Sequence, residues 1–205
     1  MPRVRPFVAV AALCLIAGCA ATLSERRPAE PTVAHTIDAQ IAKEAAIPWT
    51  PRRPLTWTDF GGRAPEQAST VAAETAYTIL HGVRCVGSAF EYRVVAAFRP
   101  TESWVRQSML RTAADSVRAL RHEQTHFDLA EVHARRIRRY FAELMAPCRL
   151  STNDLAASAT RIGRDEKAAQ AQYDSETDHG RNLTQQARWN KDVASELVAL
   201  AKFAR

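Results

Sequence analysis

Arg121-His122-Glu123-Gln124-Thr125-His126 is the stretch around which the rest of the chain can be understood. It lies in a segment without glycine or proline, residues 101–146, whose apolar side chains recur at three- and four-residue steps, and this predicts a long helix. Two histidines four residues apart on a helix lie about 40° apart around its axis and roughly 6 Å apart along it. Both imidazoles can therefore reach one metal ion.

The residue types of this stretch favour zinc and hydrolysis. Neutral imidazole is a preferred zinc ligand, and a catalytic zinc site has three protein ligands with a fourth position left for water. Glu123 directly follows His122, so we expect its carboxylate to lie beside that water and to act as general base.

The third ligand must come from another part of the chain. His133 shares a face with the pair but lies about 10 Å along the helix from His126, too far to share one ion. The end of the following helix is the best candidate region, because a short connection lets two long helices pack antiparallel. We expect His179 to be the ligand, with Asp174 and Asp178 as alternatives because zinc also accepts carboxylate oxygen.

The N-terminus has the pattern of an export signal. Arg3 and Arg5 precede an apolar stretch too short to span a bilayer, and the stretch ends in Leu15-Ile16-Ala17-Gly18-Cys19. This ending resembles the lipobox of bacterial lipoproteins, which implies removal of residues 1–18 and lipidation of Cys19. Because Ala20 follows rather than aspartate, we expect an outer-membrane lipoprotein facing the periplasm. An ordinary secretory signal is the alternative.

Two cysteines remain for the exported domain. Cys14 is removed with the signal and Cys19 is taken by lipid, which leaves Cys85 and Cys148. Two thiols in an oxidising compartment favour a disulfide. Zinc ligation by either cysteine is the alternative, and the absence of a nearby Cys or His in sequence argues against it.

The charge of the chain is mildly positive, at +6. Part of the excess lies in the second half of the predicted motif helix, at Arg135, Arg136, Arg138 and Arg139. We expect a solvated helix face there, with contact to anionic lipid or cell-wall polymer as the alternative. Export excludes nucleic acid as a partner.

The rest of the chain predicts one α+β domain at residues 55–205 behind a proline-rich, flexible tether at residues 19–54, within which residues 37–46 could form a short helix. Residues 71–80 and 90–98 are rich in β-branched and aromatic side chains and predict an antiparallel hairpin. We expect Gly82 and Gly87 to form its connection, and the segment around Trp57 to add a third strand.

Long helices are expected to cover this small sheet. One or two helices follow Thr101, a candidate N-cap, and run to Pro147 with the histidine pair in the middle of this segment. Two further helices are expected at residues 153–179 and 183–203, the earlier one stopped by Gly180.

Three separated motifs of this chain resemble those of one bacterial family. The first is Trp57-Thr58-Asp59-Phe60-Gly61-Gly62, the second is His122-Glu123-Gln124-Thr125-His126-Phe127-Asp128 with Glu131, and the third runs from Tyr173-Asp174 through Thr177, His179 and Gly180 to Gln186 and Trp189. The chain resembles the predicted secreted zinc-dependent proteases, also called domain of unknown function 922.

The resemblance implies a zinc metallopeptidase with a zincin-like fold. It implies that His122 and His126 are metal ligands and that Glu123 is the base. From the position of the third motif we infer that His179 completes the ligand set. Tyr173 is a candidate donor to the oxyanion if it reaches the metal.

Two other functions stay open at this point. One is a non-catalytic envelope lipoprotein that binds cell-wall or protein partners, and the other is a hydrolase of peptidoglycan amides. For a peptidase we expect the substrate to add as a strand along the sheet edge, by analogy with other zinc peptidases that have this motif.

Overall fold

The structure is a computed structural model that describes residues 30–66 and 71–204, and over those residues the fold is α+β, as predicted. The helices within them are α1 Val33–Lys43, α2 Ala113–Glu143, α3 Thr152–Thr177 and α4 Leu183–Ala199. The strands are β1 Ile47–Pro48, β2 Ala73–Glu74, β3 Tyr77–Val86, β4 Ala89–Phe98 and β5 Trp104–Val105.

Strands β3 and β4 form the predicted antiparallel hairpin, with Val86 opposite Ala89 at its tip. Gly87 has φ +61°, a conformation that a tight hairpin turn requires and that glycine adopts without strain. The connection is shorter than predicted, because β3 continues through Gly82 and Cys85. The third strand is β1, paired with β4, whereas Trp57–Asp59 forms a single 3-10 turn and no strand.

Helix α1 lies within the segment expected to be a tether and overlaps the short helix expected at residues 37–46, but it begins earlier and packs on the sheet. Thr32 caps it by accepting a hydrogen bond from the His35 backbone N–H at 3.1 Å. Its apolar stripe packs on the outer face of the sheet, with Val33, Ile37 and Ile41 against Val95 and Ala97. A Cβ at Gly82 would lie 3.0 Å from Val33 Cγ1, so this glycine permits close packing of α1 and makes no turn. Residues 1–29, which include the expected signal and Cys19, lie outside the described residues.

Helix α2 begins later than predicted, at a capping box. Thr112 Oγ1 accepts from the Asp115 backbone N–H at 3.1 Å, and Asp115 Oδ2 accepts from the Thr112 backbone N–H at 3.2 Å. The predicted start at Thr101 is wrong because β5 follows it and pairs with β2, which buries Trp104. The predicted strand at residues 71–80 is divided accordingly between β2 and β3.

Helix α2 lies at the centre of the molecule, between the sheet and helices α3 and α4. One side of α2 packs on the inner face of the sheet through a core that includes Phe98, Phe127, Ile137 and Phe141. The other side packs with α3 and α4 through a core of Leu129, Val132, Tyr173, Val193 and Leu200. Helix α3 runs antiparallel to α2, which brings its last two turns beside the histidine pair.

The predicted disulfide is confirmed: Cys85 and Cys148 are bonded, with their Cα atoms 5.7 Å apart. It joins the end of β3 to the turn that follows α2. Among the described residues, no helix combines the length and apolar character that crossing a membrane requires.

Candidate metal centre

The two histidines of the motif face each other on α2. His122 Nε2 and His126 Nε2 are 3.2 Å apart, and their rings meet edge to face. Asp174 of α3 completes a triangle, since its Oδ1 lies 3.1 Å from His122 Nε2 and 3.0 Å from His126 Nε2. Three possible ligand atoms from two antiparallel helices therefore converge on one point.

The residues proposed for the third ligand occupy different places. His179 Nδ1 lies 3.4 Å from Asp174 Oδ1, and His122, Asp174 and His179 offer ligand atoms that are all within 4.8 Å of one another. Asp178 is exposed and forms an ion pair with Arg181. The structure thus brings Asp174 closest to the histidine pair, with His179 beside it.

The tautomer of His126 is determined by its hydrogen-bond network. Gln170 Nε2 donates to Glu166 Oε1 at 2.8 Å and to the His126 carbonyl at 3.0 Å, and a carboxylate and a carbonyl can only accept. The Gln170 amide oxygen must then face His126 Nδ1, which lies 2.6 Å away. Nδ1 therefore carries the proton, and Nε2 presents a lone pair to the centre.

His122 is held in the same tautomer by a second network. The hydroxyl of Tyr173 donates to the His122 carbonyl at 3.2 Å, so its oxygen must accept the hydrogen bond from Gln186 Nε2 at 2.6 Å. The Gln186 amide oxygen then faces His122 Nδ1 at 3.1 Å. His122 Nε2 is consequently also an unprotonated acceptor.

Three lone-pair atoms without a proton between them repel one another, and a cation at their centre removes that repulsion. Zinc with bonds of about 2.0–2.1 Å in tetrahedral geometry separates its ligands by roughly 3.3 Å. The observed separations of 3.0–3.2 Å are close to that spacing. The residues present therefore fit a zinc ion.

The charge states at this centre reflect the same attraction for positive charge. Burial raises the pKa of Asp174, but the hydrogen bonds that His122 and His126 form with it when their imidazoles are protonated outweigh burial and hold that pKa well below its usual range. Burial lowers the pKa of His126, but the hydrogen bond to Asp174 and the charge of Glu123 outweigh it and raise the pKa.

Glu123 lies beside the centre and lines the same cavity. The cavity has a volume of about 360 Å³, with β2 on one wall and the histidine pair on another. Glu123 is only 4% exposed, and its Oε2 has no hydrogen-bond partner among the described residues. A buried carboxylate oxygen without a partner is costly, so such a group at a cavity wall is positioned for a ligand.

Tyr173 does not line this cavity. It is fully buried, and its ring stacks on that of His122 with centroids 4.7 Å apart. Because its hydroxyl proton is donated to a backbone carbonyl, this arrangement favours a packing and orienting role over the oxyanion contact considered from the sequence.

The turn after α3 packs directly against His122. Asp178, His179 and Gly180 all have positive φ, at 50°, 50° and 80°. A Cβ at Gly180 would lie 3.1 Å from His122 Cβ, so glycine is required both for the conformation and for the close approach. Left-handed conformations at two residues with side chains store strain, as is common at functional sites.

The comparisons with known proteins place this chain in a family. The model of the family described as "Bacterial protein of unknown function (DUF922)" matches residues 57–180, more than half of the chain. The chain belongs to this family. Neither the curated proteins nor the solved structures gave a match. In this DUF922 member the matched segment runs from Trp57 to Gly180, and it contains both histidines, Glu123 and Asp174.

Sequence reasoning missed one element of the site in this DUF922 chain. Gln170, which holds His126, lies on the helix predicted for residues 153–179 without any motif that marks it. Its separation of four residues from both Glu166 and Asp174 places all three on one face of α3, and this periodicity was the available signal.

Proposed function

We propose that this chain is a zinc-dependent metallohydrolase of zincin-like fold that hydrolyses peptide amide bonds. The supporting observation is the convergence of three unprotonated acceptors, His122 Nε2, His126 Nε2 and Asp174 Oδ1, within 3.0–3.2 Å beside an unpartnered Glu123 carboxylate oxygen. A folded chain avoids such an arrangement unless a cation occupies it.

His122, His126 and Asp174 are the proposed zinc ligands, and His179 is the next donor in reach. A mixed set of imidazole nitrogen and carboxylate oxygen suits zinc. Bound zinc supplies a Lewis acid that polarises a carbonyl oxygen and lowers the pKa of water. The Nδ1 hydrogen bonds to Gln186 and Gln170 keep both imidazoles oriented for this task.

Glu123 is the proposed general base and acid. Its carboxylate accepts a proton from the attacking water and later returns that proton to the nitrogen of the leaving amine, which completes hydrolysis of the amide. Burial of Glu123 at the cavity wall excludes bulk water from this proton transfer.

The edge of strand β2 supports an extended peptide as substrate. Five consecutive residues, Val71 to Thr75, line the cavity. Because side chains of a strand alternate between its two faces, consecutive residues can all line a cavity only if the cavity lies along the edge of the strand. Ala72 and Glu74 direct their backbone groups toward β5, since the Ala72 carbonyl accepts from the Arg106 N–H at 2.7 Å. Ala73 and Thr75 therefore direct theirs to the opposite side, where an added strand can pair.

The proposed location is the periplasmic side of the envelope, with a lipid anchor on Cys19. The disulfide between Cys85 and Cys148 supports an oxidising compartment. Mass spectrometry of Cys19-containing peptides from cell membranes tests the anchor.

Glu123→Gln tests the enzymatic proposal. We expect the purified wild type to contain zinc and to cleave a peptide library, and Glu123→Gln to retain zinc while losing about 10²–10⁴-fold in turnover. Cleavage by Glu123→Gln at the wild-type rate would remove the hydrolase proposal. Muropeptides assayed beside the library distinguish a peptidase from a peptidoglycan amide hydrolase.

Zinc content of single variants identifies the ligands. We expect His126→Ala and Asp174→Ala to lose bound zinc, and His179→Ala to lose less of it. Equal zinc loss in His179→Ala and His126→Ala would make His179 a full ligand.

A further inference from the structure

The cavity beside the proposed zinc ligands is acidic, although the chain as a whole is basic. Three acidic residues line it, Glu74, Glu123 and Asp174, and no lysine or arginine lines it among the described residues. The chain has a net charge of +6, so the cavity differs in sign from the molecule that contains it. Zinc would supply two positive charges against three negative ones, and the cavity would keep a net negative charge.

Glu74 is the carboxylate that the proposed chemistry does not use. It lies on β2 opposite Trp104 of β5, and its Oε2 accepts a hydrogen bond from the buried Trp104 indole N–H at 3.1 Å. This bond fixes the Glu74 carboxylate beside Trp104 of β5, and Glu74, which lines the cavity, has no ion-pair partner within the part of the chain that the structure describes.

Glu123 supplies an independent sign that the cavity receives a ligand. Only 4% of Glu123 is exposed, and its Oε2 has no hydrogen-bond partner among the described residues. A ligand that lies against Glu123 and along the edge of β2 also passes Glu74, because all of them line one cavity.

We propose that Glu74 selects substrates with a cationic residue, lysine or arginine, near the bond that is cleaved. This inference rests on the proposed peptidase function and names its substrate class. A fixed carboxylate attracts a cationic side chain and repels an anionic one, and complementarity of this kind determines specificity more than total affinity.

Paired peptides test the proposal. The pairs differ by lysine or glutamate at one position, scanned across the sites flanking the cleaved bond, and are given to the zinc-loaded full-length protein. We expect kcat/KM to favour the lysine peptide by about fivefold or more at low salt at one position at least, and the preference to shrink as salt rises.

Glu74→Gln is the decisive variant because its amide oxygen can still accept the Trp104 hydrogen bond. We expect Glu74→Gln to bring the lysine-to-glutamate ratio close to one and Glu74→Lys to reverse it, both with wild-type zinc content. Glu143→Gln, which makes the same charge change at the exposed end of α2, is the matched control and should retain the preference.

Binding measured without turnover separates the two proposals. Glu123→Gln is titrated with the same fluorescent peptides, and its Kd should favour lysine by a similar ratio that Glu74→Gln/Glu123→Gln loses. Selective binding without wild-type turnover removes the peptidase proposal and keeps the cationic preference. Equal cleavage and binding of both peptides, or a preference that survives in Glu74→Gln, overturns the role of Glu74 and leaves the peptidase proposal standing.

Discussion

Helix α2 carries residues of two polar clusters that differ in charge balance: the first has acceptors without a cation, and the second has a carboxylate bound by two arginines. Near its start, His122 Nε2, His126 Nε2 and Asp174 Oδ1 face one another as acceptors without a donor between them. Two turns later, the Glu131 carboxylate is bound by Arg135 and Arg138, at N–O distances of 2.8–3.1 Å.

The second cluster is complete in itself. Arg138 also donates to the carbonyls of Val94, Phe203 and Ala204, and Arg135 donates to that of Leu197. These bonds join α2 to the sheet and to the C-terminal end of the described chain, and every charge has a partner of opposite sign.

The difference is the ground on which we propose that the first cluster binds a cation and that the second stabilises the fold. Both are buried in the same helix, but only the first lacks the positive charge that its acceptors need. A cluster that satisfies itself contributes to the fold, whereas one left without a cation is prepared to bind one.

Breaking the complete cluster should have the largest effect on stability. In Glu131→Gln the two buried guanidinium groups lose their counter-charge, and we expect the free energy of unfolding to fall by about 3–5 kcal/mol. Urea denaturation of the metal-free protein measures it. Zinc affinity of the folded variant should stay at the wild-type value, because residue 131 lies on the face of α2 opposite His122.

Glu143→Gln, at the exposed end of the same helix, is the control and should change stability by less than about 0.5 kcal/mol. A loss of stability below about 1 kcal/mol in Glu131→Gln would show that the Glu131 cluster does not stabilise the fold. Weaker zinc binding by this variant would show that the two clusters are coupled.

The sequence predicts the proposed metal-ligand cluster better than the cluster around Glu131. His122 and His126 are marked by a short motif whose spacing alone brings them together, and the third motif marks Asp174 and His179. Arg135 and Arg138 follow no such pattern, and a solvated face was expected for them. They are buried because Glu131 and carbonyls distant in sequence meet them, and these are tertiary contacts that local spacing does not encode.

The fold shows the same division. Hairpin, disulfide and long helices follow from periodicity and cysteine count, and all are confirmed. Helix α1 begins earlier than the short helix expected within the tether and packs on the domain, because apolar residues one turn apart along it contact the outer face of the sheet. The predicted helix start at Thr101 failed because pairing of β5 with β2 overrides local helix propensity.

His133 is buried on the face of α2 that also carries His122 and His126, and it should make stability depend on pH. Burial and then the nearby charge of Arg136 lower the pKa of His133 to about 4, below the value of roughly 6.5 in an unfolded chain. As pH falls, the unfolded state therefore takes up this proton at a higher pH than the folded state does. The contribution of neutral His133 to the free energy of unfolding, about 3 kcal/mol, is lost as pH falls from 6.5 to 4.

Chemical denaturation at several pH values between 7.5 and 4 measures this in wild type and in His133→Gln, whose amide stays neutral. The stability difference between the two proteins should shift in favour of the variant as pH falls. His81→Gln, the same change at an exposed strand position, should keep the wild-type profile. Parallel curves for wild type and His133→Gln would refute the assignment.

The smallest expected effect tests the hydrogen bond from His126 Nδ1 to Gln170, which keeps the proton on Nδ1 and leaves Nε2 unprotonated. In Gln170→Ala, His126 Nδ1 loses its acceptor, and we expect zinc to bind about 10–100-fold more weakly. Gln172→Ala, on the exposed side of α3 and bonded to Glu176, is the matched control and should bind zinc as wild type does.

Imidazole ¹⁵N chemical shifts of the metal-free protein at high pH distinguish orientation of His126 from general damage to the fold. In wild type both His122 and His126 should show the Nδ1–H tautomer, because each Nδ1 donates to a glutamine oxygen. In Gln170→Ala only His126 should gain the Nε2–H tautomer, because Gln186 still holds His122. If both histidines changed together, or neither did while zinc affinity fell, the networks would not set the tautomers, and the two clusters of α2 would no longer differ in the way that their hydrogen bonds imply.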